Sequence, residues 1–349
     1  MTTPALQLPE AGEAFETAEI ERRELRSTDV RIEIAYAGIC GTDLHYGHND
    51  FGRTPFPLTP GHEIAGTVAE VGSEVTDFRV GDRVGQGCIC NSCGECVYCE
   101  QGEEQFCARG MVMTYGSKDY DGTITKGGYS ASIVVDQRFV LRIPDGISLD
   151  DAAPLLCAGI TMYSPLRHWK VGAGSKVAIV GMGGLGHMGV KLASAMGAQV
   201  AVISHSHSKE ADARRFGATD FRATGDEGTL DDLQGTFDLI ISTVSKGLDL
   251  DQILPLLAVN GTLVSAGLPD GPANFSVFTL MTGRRSYAGT NIGGIKETQE
   301  MLDFCAAQDV RPETEIVEAA PEAVASAWGR VGDGSARYRV VIDTAALTS

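Results

Sequence analysis

The stretch Gly38-Ile39-Cys40-Gly41-Thr42-Asp43-Leu44-His45 concentrates four kinds of chemistry in eight residues. Cys40 is a soft metal ligand, Thr42 a hydroxyl, Asp43 a carboxylate and His45 an imidazole. Together they can hold a metal, hand over a proton and pass it to water. Alone the stretch is weak. It gains force beside Gly61-His62-Glu63 and Cys157, which add an imidazole, a second carboxylate and a second thiol.

A separate group of thiols follows. Of nine cysteines, six lie between Cys88 and Cys107. Cys93, Cys96, Cys99 and Cys107 supply four thiolates within 15 residues. Four thiolates close a tetrahedral Zn²⁺ and leave no open position, so the site they predict is structural. Cys88 and Cys90 are near enough in sequence to replace one of them.

The third motif is Val177-Ala178-Ile179-Val180-Gly181-Met182-Gly183-Gly184-Leu185-Gly186-His187, a strand running into Gly-x-Gly-Gly-x-Gly and a helix. Gly181 permits the tight turn, Gly183 lets the backbone approach a pyrophosphate, and Gly186 lets helix and strand pack closely. Gly184 and Leu185 are counted with them as cofactor-binding residues. The next strand, Val200-Ala201-Val202-Ile203, ends at Ser204-His205-Ser206-His207-Ser208-Lys209. An acid at Ser204 would bind the ribose 2′-hydroxyl of NAD and repel a 2′-phosphate. Ser204, Ser206 and Lys209 offer hydroxyls and a cation instead, which predicts NADP(H) in preference to NAD(H).

The elements that position these residues fall into two textures. Val30–Tyr36 alternates apolar and polar as a half-buried strand does. Residues 57–86 are dense in Gly, Pro and β-branched residues, and strands return at 132–135 and 139–144, so the first part predicts a small β-barrel. From residue 150 a helix with an acidic first turn is expected through Thr161. Beyond Ser175, strands at 176–180, 199–203, 239–242 and 262–266 alternate with helices at 189–196, 210–216 and 250–257. That rhythm predicts a parallel sheet covered by helices. A helix at 297–305 and a strand at 338–343 are expected to rejoin the first domain. The expected division is a catalytic domain over 1–157 with its zinc lobe at 93–107, a nucleotide-binding domain over 158–296, and a return over 297–349.

At 349 residues the chain accommodates two cores. A net charge of −18 opposes nucleic acid as a partner, and with the Gly181–Gly186 loop it opposes a zinc-finger reader of it. No apolar run reaches the roughly 18 residues that span a bilayer, and Met1–Ala5 lacks a secretory signal. No membrane partner and a cytoplasmic location are therefore expected.

The motifs together resemble the zinc-dependent medium-chain alcohol dehydrogenases, in particular their NADP-dependent cinnamyl-alcohol-dehydrogenase-like branch. The resemblance runs from about residue 20 to 345. It is carried by Gly38–His45, Pro60-Gly61-His62-Glu63, the cysteine quartet, Ala153–Thr161, the Gly181–Gly186 loop, and Gly289–Gly294 followed by Lys296-Glu297-Thr298. It implies an α/β chain in which a GroES-like β-barrel catalytic domain is joined to a doubly wound Rossmann domain. It implies two zinc ions per chain, the catalytic one on Cys40, His62 and Cys157. Two thiolates, one imidazole and an open fourth position suit a Lewis acid. Glu63 is implied as a neighbour or transient ligand of that zinc, and Asp43 as the acceptor that fixes the His62 tautomer. Thr42 is implied as the first proton carrier, with a relay through the nicotinamide ribose to His45. Thr161, Thr243, Gly267 and Ile292 are expected to join the cofactor contacts, and a homodimer with an edge at Val277–Arg285 is implied.

The expected reaction is hydride transfer between NADP(H) and a small-molecule alcohol or aldehyde of medium size. Leu58, Met113, Tyr115 and Ile292 are candidate pocket residues. Gly41 stands where plant members carry His, and Met113 where many carry Trp, so cinnamaldehyde is not singled out. A polyol or secondary-alcohol dehydrogenase of the same superfamily is the alternative, but that reading wants an acid at Ser204. A non-catalytic zinc-binding relative would have lost Cys40, His62 or Cys157, and none is lost.

Overall fold

The structure is a computed structural model that describes residues 1–268 and 271–348. The chain divides into two compact units, Met1–Ile160 with Gly293–Ser349, and Thr161–Ile292.

The first unit is built on a sheet whose order runs Thr314–Glu318, Arg339–Asp343, Asp29–Ile39, Ile64–Val71, Arg83–Gln86 and Leu141–Arg142. Ser132–Asp136 also pairs with Asp29–Ile39. Only Thr314–Glu318 and Arg339–Asp343 run parallel to each other, so the C-terminal segment completes the sheet begun near the N-terminus. Asp29–Ile39 is central, and its Ile32, Ile34, Ala37 and Ile39 are buried. A hairpin of Thr2–Gln7 and Glu16–Glu21 precedes this sheet. It packs Leu6 and Leu8 with Phe15 into a cluster that includes Tyr115, Tyr129, Trp328 and Leu58.

The second unit carries a six-stranded, wholly parallel sheet ordered Asp220–Ala223, Gln199–Ser204, Lys176–Val180, Phe237–Ser242, Leu257–Ser265 and Ser286–Gly289. In chain order this is 3-2-1-4-5-6, the doubly wound arrangement whose nucleotide crevice opens at the carboxyl end of its first strand. The central strands read as continuous apolar runs because helices cover both faces of such a sheet.

Several boundaries differ from the sequence reading for identifiable reasons. The helix expected at 189 begins at Gly184, because the glycine loop itself leads to the N-cap at Gly183. The helix expected over 250–257 stops at Ile253, followed by a 3₁₀ turn containing Pro255, which has no N–H for a longer helix. The strand expected over 139–144 is mostly replaced. A turn at Gln137–Phe139 is held by Asp136, which accepts from the Arg138 N–H, and only Leu141–Arg142 pairs. The helix from Leu149 ends at Pro154 and continues as a π-helical turn, Leu155–Gly159, before Ile160–His168. The short strands Asp220–Ala223, Ser286–Gly289 and Thr314–Glu318, and the helix Pro321–Gly332, lie outside the expected elements.

Candidate active site

Cys40 follows the central strand directly and caps the helix Gly41–Gly47. Asp43, in the first turn of that helix, accepts from the Cys40 N–H at 2.8 Å. The cap therefore fixes both the thiol and the carboxylate. Cys157 sits in the middle of the π-helical turn. Such turns contain one extra residue and recur at functional sites. His62 and Glu63 precede the strand Ile64–Val71, which pairs with the strand that delivers Cys40.

These elements converge. One ligand atom each from Cys40, His62, Glu63 and Cys157 lie within 4.8 Å of one another, and all four residues are buried. The two sulfurs are 3.8 Å apart, and His62 Nε2 is 3.3 Å from Cys157 Sγ. His62 Nδ1 faces away from the sulfurs, 3.4 Å from Asp43 Oδ1. Glu63 Oε1 accepts from Arg339, while Glu63 Oε2 is buried with no hydrogen-bond partner among the described residues.

The electrostatics call for a cation. A hydrogen bond from Cys157 holds Cys40 well below the ordinary thiol range, and the same bond, with one to Cys88, holds Cys157 well above it. Burial opposes charge on His62, yet Cys88 and Asp43 outweigh it and raise the imidazole well above its usual value. Burial pushes the Glu63 carboxyl up to about 7 against the pull of Arg339. A buried cluster that draws protons onto thiol, imidazole and carboxyl is one where a divalent ion can take their place. The donor set of two sulfurs and one nitrogen fits zinc, with Glu63 adjacent.

Thr42 Oγ1 lies 3.7 Å from Cys40 Sγ and is half-buried. His45, on the same helix, bonds Asp50 through Nδ1 at 2.7 Å and is 30% exposed, which keeps it in touch with water. Tyr115 stacks on the His62 ring at 5.6 Å, fully buried. Leu58 is likewise buried in the hydrophobic cluster rather than open to solvent. Met113 is half-buried in a two-stranded pairing with Ile89.

The second metal centre is separate. Ligand atoms of Cys93, Cys96, Cys99 and Cys107 also lie within 4.8 Å of one another. Cys96 and Cys99 are 3.6 Å apart, and Cys93 and Cys99 are 3.9 Å apart. Backbone N–H groups of Ala108 and Cys93 point at the sulfurs of Cys96 and Cys107, each at 3.4 Å. The Ala108 N–H leads the effects that bring Cys96 down to about 6, a thiolate ready for metal. Cys88 and Cys90 stand outside this group. Cys90 is directed at the Met113 carbonyl, and burial pushes it up to about 12. Cys88 is buried near Leu156 and Cys157.

In the second unit, Gly181 has φ of 94° and Gly186 presses on the Gly181 carbonyl, so neither tolerates a side chain. Gly183, by contrast, opens onto free space where a Cβ would stand. That is the cradle a pyrophosphate needs, at the N-terminus of the 12-residue helix Gly184–Ala195. Thr243 bonds the Val180 carbonyl at 3.0 Å through its hydroxyl, and Gly267 packs on the Thr243 backbone. Thr161 is buried, and Ile292 holds a left-handed backbone at φ of 38°, unusual for a β-branched residue. Ser204 ends its strand half-buried, Ser206 is exposed, and its hydroxyl lies 3.1 Å from that of Ser208. No acid stands between Ser204 and Lys209. These residues fit NADP(H).

Sequence reasoning missed three residues around the catalytic cluster: Arg339, Tyr129 and Trp328. Arg339 was legible as a charged residue opening the apolar strand Arg339-Val340-Val341-Ile342, where burial demands a partner. Tyr129 and Trp328 carried no local signal.

Comparison with known proteins agrees with this architecture. Residues 26–145 match the alcohol dehydrogenase GroES-like domain, and residues 184–307 match the zinc-binding dehydrogenase domain. The chain is 54% identical over its whole length to an NADP-dependent alcohol dehydrogenase C of Mycolicibacterium smegmatis, covering 99% of that protein. It is 53% identical to a probable formaldehyde dehydrogenase, AdhA, of Bacillus subtilis, over 99% of this chain and 98% of that one. The crystal structure of CAD from Helicobacter pylori, complexed with NADP(H), superposes with a TM-score of 0.92 at 40% identity, and a cinnamyl alcohol dehydrogenase of Sorghum bicolor with 0.95 at 38%, each over 98% of both chains. With both domain matches, full-length relatives and a complete zinc-ligand set, the chain belongs to the zinc-dependent medium-chain alcohol dehydrogenases, in their cinnamyl-alcohol-dehydrogenase-like branch.

Proposed function

We propose that this chain is an NADP(H)-dependent alcohol dehydrogenase that works as an aldehyde reductase on medium-sized aliphatic or aromatic aldehydes. The observation that carries the reading is the buried convergence of Cys40, His62, Glu63 and Cys157 with Thr42 beside it. The names of the mycobacterial, bacillary and Sorghum relatives, which speak of an NADP-dependent alcohol dehydrogenase, formaldehyde and cinnamyl alcohol, support it.

Zinc held by Cys40, His62 and Cys157 supplies Lewis-acid activation of the substrate oxygen, and the nicotinamide supplies or accepts the hydride. The remaining work belongs to the protein. Asp43 Oδ1 stands 3.4 Å from His62 Nδ1, on the side of the ring away from the sulfurs that Nε2 faces. Thr42 offers its hydroxyl to the oxygen that gains a proton in aldehyde reduction. His45, partly exposed, exchanges that proton with water. Ser204, Ser206 and Lys209 take the 2′-phosphate. Met113 is read as a wall residue on the substrate side and leaves it less selective than an aromatic would.

The chain is also proposed to work as a homodimer. Ser286–Gly289 is an edge strand, and the helix Val277–Met281 beside it exposes Val277, Phe278 and Met281. A cytoplasmic location accompanies this reading. All nine cysteines are unpaired, and no helix among the described residues is long and apolar enough to cross a membrane.

The test is oxidation of NADPH and NADH over an aldehyde panel, with zinc quantified per chain and mass measured by light scattering. Two zinc ions, NADPH preference, aldehyde turnover and a dimeric mass are expected. Turnover without zinc, or equal use of the two cofactors, overturns the corresponding part.

A further inference from the structure

Asp43 is a fully buried carboxylate, and its hydrogen bonds come from three directions. Oδ2 accepts from the Cys40 N–H at 2.8 Å and from the Tyr129 hydroxyl at 3.2 Å. Oδ1 accepts from the Gly61 N–H at 3.3 Å and faces His62 Nδ1. Two of these donors are backbone groups of the segments that carry Cys40 and His62. Tyr129 is different, because it comes from a loop that supplies no ligand.

The phenol is held from behind. Trp328, on the helix Pro321–Gly332, donates its indole N–H to the Tyr129 oxygen at 3.2 Å. Phe15 meets the Trp328 ring edge-on at 4.8 Å and fixes its plane. Gly61, at φ of 102°, leaves no room for a Cβ against the Tyr129 ring, so the ring lies flush on the backbone beside His62. A hydroxyl buried at this depth must have partners. Here it receives one hydrogen bond and gives one, so its proton has a single direction, toward Asp43.

We propose that Tyr129, oriented by Trp328, is a positioning residue for the catalytic metal site. It locks the Asp43 carboxylate so that Oδ1 stays on His62, and thereby holds the imidazole in its ligating orientation. The C-terminal helix is thus tied to the metal site through Trp328, Tyr129, Asp43 and His62. This rests on the reading that Cys40, His62 and Cys157 bind zinc.

The chain contains its own control, because the quartet Cys93, Cys96, Cys99 and Cys107 shares none of these contacts. The experiment follows zinc release from the full-length holoprotein to a chromogenic chelator, for the parent, Tyr129→Phe and Trp328→Phe, with thermal unfolding alongside. The parent is expected to carry two zinc ions that leave in two phases. Tyr129→Phe keeps the ring and removes only the hydroxyl. It is expected to speed release of one zinc by about tenfold, the low end for partners of metal ligands, and leave the other unchanged. Trp328→Phe is expected to give a smaller change in the same phase. In Co²⁺-substituted protein, only the band of the two-sulfur site should shift in Tyr129→Phe. Unchanged release in Tyr129→Phe overturns the proposal, as does equal acceleration of both ions, which marks general loosening. A parent with one zinc, retained only by the quartet, overturns the underlying metal reading instead.

Discussion

Arg339 donates through Nη2 to Glu63 Oε1, forming an ion pair with side chains 5% and 0% exposed between residues 276 positions apart. The same nitrogen also donates to the Ile39 carbonyl, next to Cys40. Burial disfavours the charge on Arg339, but Glu63 and the two thiols outweigh it and hold the guanidinium protonated. Removing one partner from such a pair leaves an uncompensated buried charge. Arg339→Met is therefore expected to lower stability by about 3–5 kcal/mol in denaturant unfolding of zinc-loaded protein. The double variant Arg339→Met, Glu63→Leu should recover most of that loss. A single variant as stable as the parent would contradict the pairing.

Thr42 has a hydroxyl beside a ligand sulfur and no part in the core. Thr42→Val preserves shape and removes the proton carrier. Turnover is expected to fall by about 10²–10⁴-fold with zinc content and NADPH binding intact. Near-parental turnover sinks the relay role.

Ser204 occupies the strand end where an acid would select NAD. Ser204→Asp is expected to shift the ratio of kcat/KM for NADPH over NADH by about tenfold or more toward NADH, through repulsion of the 2′-phosphate. The check is steady-state kinetics with both cofactors on one aldehyde. An unchanged ratio places the selectivity elsewhere.

His207 bonds Asp226 through Nε2 at 2.8 Å and Glu210 through Nδ1 at 2.7 Å. Those bonds, Asp226 first, raise its pKa above the usual imidazole value. A raised folded-state pKa adds stability that is fully present below the unfolded value of about 6.5 and is lost as pH rises through the folded one. The melting-temperature gap between parent and His207→Gln should be largest near pH 5.5 and close as pH rises. Because the triad is exposed, the gap should be small and shrink further in salt. A gap that widens with pH would reverse the assignment.

The cysteine quartet holds a closed site, so its zinc is expected to serve folding. Cys99→Ser should bind one zinc per chain, melt earlier and keep the two-sulfur site's Co²⁺ spectrum. Loss of both metals together would show that the lobe and the catalytic cluster are not independent.

The sequence was most legible where chemistry is local. The Cys93–Cys107 spacing and the Gly181–Gly186 loop each lie within one short segment, and the structure gathers each as expected. The apolar strands Lys176–Val180, Gln199–Ser204 and Phe237–Ser242 announced themselves because a covered parallel sheet needs continuous hydrophobic runs. Edge strands lack that pressure. Asp220–Ala223 and Ser286–Gly289 are short and partly polar, and read as loops. Leu58 and Tyr115, expected at the pocket wall, sit in a buried cluster shared with the N-terminal hairpin and the C-terminal helix. Arg339, Tyr129 and Trp328 could not be assigned partners in advance, because each pairing depends on how distant strands come together.

The π-helical turn at Leu155–Gly159 makes one metal ligand depend on chain length as well as on chemical identity. An α-helix advances about 100° per residue, so deleting any one of Leu155, Leu156, Ala158 or Gly159 keeps the thiol yet turns it away from Cys40 and His62 relative to one flank. Among natural variants of this fold, a one-residue gap in this turn can thus mark a silenced enzyme whose cysteine still satisfies every motif. Counting ligands along a sequence misses that loss, whereas counting the residues between Pro154 and Ile160 detects it.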